Sequence, residues 1–455
     1  MSVLVLISVL GVVLLYTGLA GRKSMLAPIG ISGLSMGLLL FWIDLHVNVP
    51  LLDGMLRFDP FAIAFSQALV LITVMLFLYG IEYYAWMREN VAEQYALMVF
   101  SLIGAIVLTS YTNLLMLFLG TEIMSIPLYI IAGGKRDSWR SGEAAFKYFL
   151  QGSFASGFLL LGITLLYGAT ASLDLLEVQQ YAATVVGREH MLYFLGAFFT
   201  IAGLAFKVAA VPFHFWSPDV YEGSPTVLTA FMSTVVKAAA FAGFYRFIEG
   251  MQLPGTLHGM LMAMTVLTLF LGNVVALRQT QFKRLLAYSS IAHTGFLLFA
   301  FLDPNPVTAQ VLYYYLFTYA LAMLGIFIVL TTVKRTAGGD EHIRVFRGLY
   351  RREPWLAIGT MILLLSLAGI PVTAGFIAKY KIIMLGIGAG FIGTTIFAVL
   401  MAILGIYYYI IVIREAFTPS TGGTRIVVTP INGLLIAICC ISVIVLGLFP
   451  AFAGY

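Results

Sequence analysis

Apolar runs long enough to cross the roughly 30 Å hydrocarbon core of a bilayer recur along nearly the whole chain. They fall near 3–20, 26–44, 60–80, 95–111, 113–132, 147–169, 193–215, 225–248, 256–277, 285–302, 307–333, 355–388, 391–413 and 430–452. Of 455 residues, 61% are hydrophobic and 10% charged, with a mean hydropathy of +1.00, a balance that soluble globular chains do not reach. The pattern predicts an all-α fold: a polytopic membrane protein of about fourteen transmembrane helices. Met1 to Ala20 resembles the apolar part of a signal peptide, yet no basic segment precedes it and no small-residue cleavage signal stands out. It is read as the first span, uncleaved.

Cationic residues give the orientation. Seventeen of the 25 Lys and Arg lie in loops after odd-numbered spans, from Arg22 and Lys23 through Arg88, Lys135, Arg136, Arg140, Arg278, Lys283, Arg284, Lys334 and Arg335 to the 344–352 cluster, Arg414 and Arg425. Even-numbered loops and nearby helix ends hold only Arg57, Arg188 and Arg246. By the positive-inside rule the odd loops face the cytoplasm, so both termini are expected on the periplasmic side. A miscounted span would scramble this split.

Lys147, Lys207, Lys237, Lys379 and Lys381 remain, all inside expected spans, and Glu122 is the one acid near the middle of a span. Charges at the bilayer centre cost roughly 2.5 to 3.5 kcal/mol each, so Glu122, Lys207, Lys237 and Lys379 represent roughly 10 to 14 kcal/mol if unpaired. One reading is a buried ion pair of Glu122 with one lysine that locks helices together. The other is transport, since one acid cannot neutralise three lysines, and desolvation disfavours the charged form. A lysine near neutrality takes up and releases a proton. Lys147 opens the sixth span and Lys381 follows Lys379 by two residues, so each can instead snorkel or face another surface. His293, beside Ser289, Ser290 and Thr294, is either a packing residue or a relay that accepts on one nitrogen and donates from the other. His214 follows Pro212 by two residues and lines an entrance or simply sits at the interface.

Pro212 removes the helical bond to the carbonyl of Val208, next to Lys207, and Pro371 does the same to Leu367 in the long twelfth run, which also holds Gly369 and Gly375. Freed carbonyls attract water, and broken helices are tolerated at membrane depth where they line an aqueous cavity. The pairing of break and lysine recurs five spans apart, the sign of a repeated unit, spans four to eight against nine to thirteen. The expected organisation is a three-helix segment at 1–94, five-helix repeats at 95–248 and 249–415, and a C-terminal helix at 416–455. Cys439 and Cys440 are adjacent, which disfavours a mutual disulfide and fits no metal or redox spacing.

Several long stretches carry a family resemblance: GLAFKVAAVPFHFWSPDVYEGSPTVLTAFMSTVVKAAAF at 203–241, FLGTEIMSIPLYIIAG at 118–133, KYFLQGSFASGFLLLGITLLYGATASL at 147–173, FKRLLAYSSIAHTGFLL at 282–298 and SLAGIPVTAGFIAKY at 366–380. In order and spacing these resemble the N-chain family of the proton-pumping NADH-quinone oxidoreductase, respiratory complex I. The resemblance implies two inverted five-helix repeats with broken seventh and twelfth helices. It also implies a proton path through Glu122, its partner Lys207, then Lys237, His293 and Lys379, with Lys147 a further lysine of less defined role. Implied partners are other membrane-arm chains, including an antiporter-like sibling and small membrane subunits, lipids, protons and a peripheral NADH-oxidising arm; no nucleic acid is expected. FMN, iron-sulfur clusters and quinone are expected in partner subunits, and none in this chain, which has no dinucleotide fingerprint, cluster-type cysteine set or haem pattern. The implied place is a bacterial inner membrane. The alternatives are a chain of a multisubunit cation/proton antiporter or membrane-bound hydrogenase, and a purely structural scaffold.

Overall fold

Asp59 and Pro60 show how the sequence starts its helices. The Asp59 carboxylate accepts from the Ala62 backbone N–H at 2.8 Å, and Pro60 occupies the first turn, where its missing N–H costs nothing. Asn305 and Pro306 repeat the device, with Asn305 Oδ1 accepting from the Thr308 N–H.

The computed structural model describes residues 2–44, 51–85, 91–135, 137–185, 191–251, 253–420 and 425–453. Arg88, Arg136 and Arg188 of the charge count lie outside the described residues. Helices α1 (Ser2–Leu19), α2 (Lys23–Asp44) and α3 (Pro60–Tyr84) come first. Next are α4 (Ala92–Ser110), α5 (Leu114–Ala132), α6 (Trp139–Thr170), the short α7 (Leu175–Val185), α8 (Met191–Lys207) and α9 (Trp216–Gly223). The eighth crossing joins α10 (Thr226–Phe231), a π-helical turn at Met232–Val236 and α11 (Lys237–Ile248). Then follow α12 (Gly255–Ala276), α13 (Phe282–Phe299), α14 (Pro306–Thr336), α15 (Leu349–Arg352), α16 (Pro354–Ala368), α17 (Ala374–Gly388), α18 (Ile392–Phe417) and α19 (Pro430–Leu448).

Twelve of these elements are long and apolar enough to cross a membrane, and α8 and α16 are shorter apolar helices. Each short one stops at a break and resumes, as α9 or α17, which brings the crossings to the expected fourteen. Where the apolar pattern places the start of the sixth span at Lys147, α6 starts at Trp139. Its first turns pack on α9, where Gly223 lies against Arg140 O and Ala144, and are too polar for hydropathy to register. Helix α7 falls in a stretch read as loop; it is too short to cross, and Asp174 caps it by accepting from the Leu176 and Glu177 N–H groups.

Loops after odd-numbered spans contact one another, and so do loops and helix ends after even-numbered spans. Gln281 pairs with His342, the Phe282 N–H donates to Glu341 O, and the Gly348 N–H donates to Glu415 O, all among loops and helix ends after odd-numbered spans. On the other side Arg246 pairs with Asp59 at 2.6 Å, and Asn113 bridges to Asp174. The 18-residue apolar stretch is fully buried in the crossing Thr226–Ile248 and 94% buried in Phe282–Leu302 and Pro306–Thr336, against 33% in Ile392–Phe417. Three helices therefore stand inside a shell formed by the others, and polar groups on them are shielded from lipid by protein.

Candidate functional site

Glu122, Ser125 and Tyr129 recur along α5 at the three- and four-residue spacing that puts them on one face. Lys207, the last residue of α8, reaches this stripe: its Nζ donates to Ser125 Oγ at 2.9 Å and to Tyr129 Oη at 3.3 Å. Glu122, half-buried, instead accepts from Ser156 Oγ on α6. Lys207 thus reaches the α5 face that carries Glu122 without forming an ion pair with it. Lys207, Lys237 and Lys379 are all buried, and among the described residues none of them has a carboxylate at ion-pair distance.

Lys237 begins α11 directly after the π-helical turn, a local under-winding that often marks functional positions. Its Nζ donates to Ser290 Oγ at 2.6 Å and to Ser290 O on α13, and it lies 5.3 Å from the centre of the Tyr319 ring. One turn along α13, His293 Nδ1 shares a 2.7 Å hydrogen bond with Tyr315 Oη, and its Nε2 lies 3.3 Å from Tyr409 Oη, which in turn bonds Ser289 Oγ. Both imidazole nitrogens therefore carry hydroxyl partners. Either nitrogen can be the donor, as a relay requires.

The two helix breaks meet this central helix, though their freed carbonyls are satisfied by protein rather than left for water. At the first break, Thr294 Oγ1 of α13 donates to Val208 O at 2.7 Å, with Ser290 O a second acceptor at 3.2 Å, and Trp216 Nε1 donates to Phe206 O. At the second, Lys379 Nζ donates to Leu367 O at 3.1 Å and to Ala368 O at 2.8 Å, and sits 5.2 Å from the Phe296 ring centre. The ammonium closes the C-terminal end of α16, where unpaired carbonyls and the helix dipole favour a cation. The thread Val208 O, Thr294, Ser290, Lys237 gives the first break a polar connection to the lysine of the eighth crossing.

Lys147 stands apart. It pairs with Glu143 and Asp219, each at 2.7 Å, and Arg284 holds the other Asp219 oxygen at 2.7 Å and Glu222 at 3.1 Å. These groups line an open cavity of about 220 Å³. Lys381 lies 4.4 Å from the Tyr314 ring centre on a different surface from Lys379. His214 is buried, and among the described residues its Nδ1 has no hydrogen-bond partner.

Charge counting assigns Lys283 to a loop, but it lies in the first turn of α13 with its side chain wholly buried, donating to Ser224 O at 2.8 Å and pairing with Glu341 at 3.3 Å. Glu341 also binds Lys334. The apolar run begins after Lys283, so hydropathy cuts the helix short. Tyr315, Tyr319, Tyr409 and Glu341 likewise escape a reading of sequence, because their roles come from non-local contacts across α13.

The family model for the NADH:quinone oxidoreductase/Mrp antiporter transmembrane chains matches residues 111–405. This chain belongs to that family. Within the family, the chain is 38% identical to NADH-quinone oxidoreductase subunit N of Cytophaga hutchinsonii, covering 99% of this chain and 98% of that one. It is 36% identical to the subunit of the same name from Flavobacterium johnsoniae, again over 99% and 98%. A chain of respiratory complex I from Thermus thermophilus superposes with a TM-score of 0.85 at 32% identity, covering all of both chains. A chain of the Mrp complex from a Dietzia species has a TM-score of 0.86 at 18% identity, over 99% and 95%, and shows the shared fold.

Proposed function

We propose that this chain is a proton-translocating membrane-arm subunit of an NADH:quinone oxidoreductase, coupling electron transfer elsewhere in the complex to proton movement through its own buried lysines. The observation that carries the reading is the placement of Lys237 and Lys379. Each is buried and, among the described residues, without an acid partner, one held by a serine and the other by helix-end carbonyls, with His293, bonded to Tyr315 of α14 and Tyr409 of α18, on the helix between them. A permanent anchor would be built as a satisfied ion pair. Serine, carbonyl and hydroxyl partners instead leave the ammonium free to give up its proton.

The path begins at Glu122 and Lys207. The described geometry corresponds to the arm of the cycle in which Lys207 is disengaged from Glu122 and held by Ser125 and Tyr129. Lys207 passes its proton towards Lys237, and from there through His293 to Lys379 and outward past the second break. No lysine Nζ donates to another lysine's direct partner across the whole line, so bridging waters complete the transfer. Lys147, with Asp219 and Arg284, sits at the loading end on the basic-loop face.

The two five-helix units, 95–248 and 249–415, each contribute one break and its lysine, flanked by the 1–94 segment and the 416–455 helix. The host membrane is a bacterial inner membrane, with both termini periplasmic. Flavin, iron-sulfur clusters and quinone belong to partner subunits, among them an antiporter-like sibling, small membrane chains and a peripheral NADH-oxidising arm. Purification through a tag on this chain is the test. Flavin and iron-sulfur partners with NADH oxidation are expected; a flavin-free assembly that exchanges cations for protons would overturn the reading.

A further inference from the structure

On the basic-loop face, two cavities meet at Glu353 and Trp355. The outer, of about 620 Å³, is lined by Arg351, Arg352 and Arg425, with Glu353 the one acid among the described residues of its wall. The inner, of about 300 Å³, runs down between α16 and α19 over Leu356, Ile358, Ile362, Ile436 and Ile441. A basic mouth thus opens onto an apolar groove.

We propose that this composite site binds an anionic diacyl phospholipid, its phosphate held among Arg351, Arg352 and Arg425 and one acyl chain lying in the groove. Guanidinium forks match phosphate oxygens in pairs, and three converge here. Glu353 approaches Arg425 at 4.0 Å and offsets one of the three charges, which leaves the mouth net positive. Arg352 donates to Thr336 Oγ1 at 2.8 Å, which fixes its fork. Trp355 is 80% exposed at the head of α16, the depth at which tryptophan marks the headgroup boundary.

The groove has the dimensions of an acyl chain's upper part. From Trp355 to Ile362 it follows α16 for about 10 Å at 1.5 Å per residue, about a third of a roughly 30 Å hydrocarbon core. Small residues open it: Gly433 and Ala437 face it from α19, and a Cβ at Gly359 would come within 3.2 Å of Ile436 Cγ2. The charge fits the leaflet too, since the membrane face that retains basic loops is the one rich in anionic lipid. Nothing here depends on which ion the chain moves.

The complex purified through a tag on this chain, stripped of lipid and mixed with equal phosphatidylglycerol and phosphatidylcholine, gives the test by native mass spectrometry. Phosphatidylglycerol is expected to be retained in preference, and millimolar inorganic phosphate not to displace it. The double variant R351Q/R425Q should weaken retention about 25-fold, at about fivefold for each cation near the surface. Ala437→Trp, which fills the groove from an exposed position, should weaken it with the arginines intact. Equal retention of both lipids, displacement by phosphate alone, wild-type retention in either variant, or a polypeptide helix seated in the groove of the assembled complex would each overturn the proposal.

Discussion

Lys379 keeps its ammonium against the carbonyls of Leu367 and Ala368, while Lys237 keeps its own against Ser290. The two sites differ in what is left behind when the proton departs: helix-end carbonyls can be re-satisfied by water, and a serine can turn its hydroxyl. His293 between them depends on Tyr315 and Tyr409. His293→Leu is expected to slow proton delivery by about 100-fold, the lower range for loss of a positioned acid–base group. Tyr409→Phe leaves the 2.7 Å bond to Tyr315 in place and should slow delivery only about three- to tenfold, the worth of one hydrogen bond. Time-resolved proton uptake by proteoliposomes separates the two, and equal effects would show that Tyr409 rather than the ring carries the proton. Glu122, Lys207, Lys237, His293 and Lys379 were legible in the sequence because a titratable group in an apolar run is costly and therefore conspicuous. Their tyrosine and serine partners were not, since hydroxyl residues are common in such helices and only the fold singles out Ser290, Tyr315 and Tyr409.

The breaks depend on a few contacts. Gly369 adopts φ +82 to end α16, and a Cβ at Gly375 would lie 1.7 Å from Ser366 O, so Gly375→Ala must push α17 away from α16. Its expected effect is loss of assembled complex, seen on native gels. Thr294→Val keeps the volume but leaves Val208 O without its donor, and should cost about 1–3 kcal/mol of stability in detergent unfolding. Glu341, in the loop after α14, is held by Lys283 and Lys334. Burial alone would raise its carboxyl, but Lys283, Lys334 and Lys135 together hold it below the ordinary glutamate value of 4.5. With the folded value below the unfolded one, its stabilisation is complete above about pH 4.5 and is lost as pH falls through the lower folded value. Glu341→Gln leaves Lys283 buried and unpaired and should cost about 3–5 kcal/mol while removing that acid dependence. Lys283→Met should cost less, since Glu341 retains Lys334; the reverse order in thermal unfolding would contradict the pairing. Both breaks were visible as Pro212 and Pro371, each within about two turns of a lysine in an apolar run. Their closure by Thr294 and by Lys379 itself was not, because it joins residues far apart in sequence.

The whole molecule separates its tasks by burial. Outer helices such as α18 present apolar faces outward, while the crossings bearing Lys237 and His293, together with α14, stand within the shell. The number of crossings was readable from hydropathy, because lipid imposes a length on every span. What the sequence left open was the gathering of groups from α11, α14, α17 and α18 onto α13, a consequence of packing. If that gathering is the proton path, charge movement and electron transfer must separate when one lysine is removed. The direct measurement is protons translocated per NADH oxidised by the purified complex in proteoliposomes, for wild type and Lys237→Met at matched assembly. A fall in that ratio with full-size complex is the predicted result; an unchanged ratio in a fully assembled variant would contradict a path through Lys237.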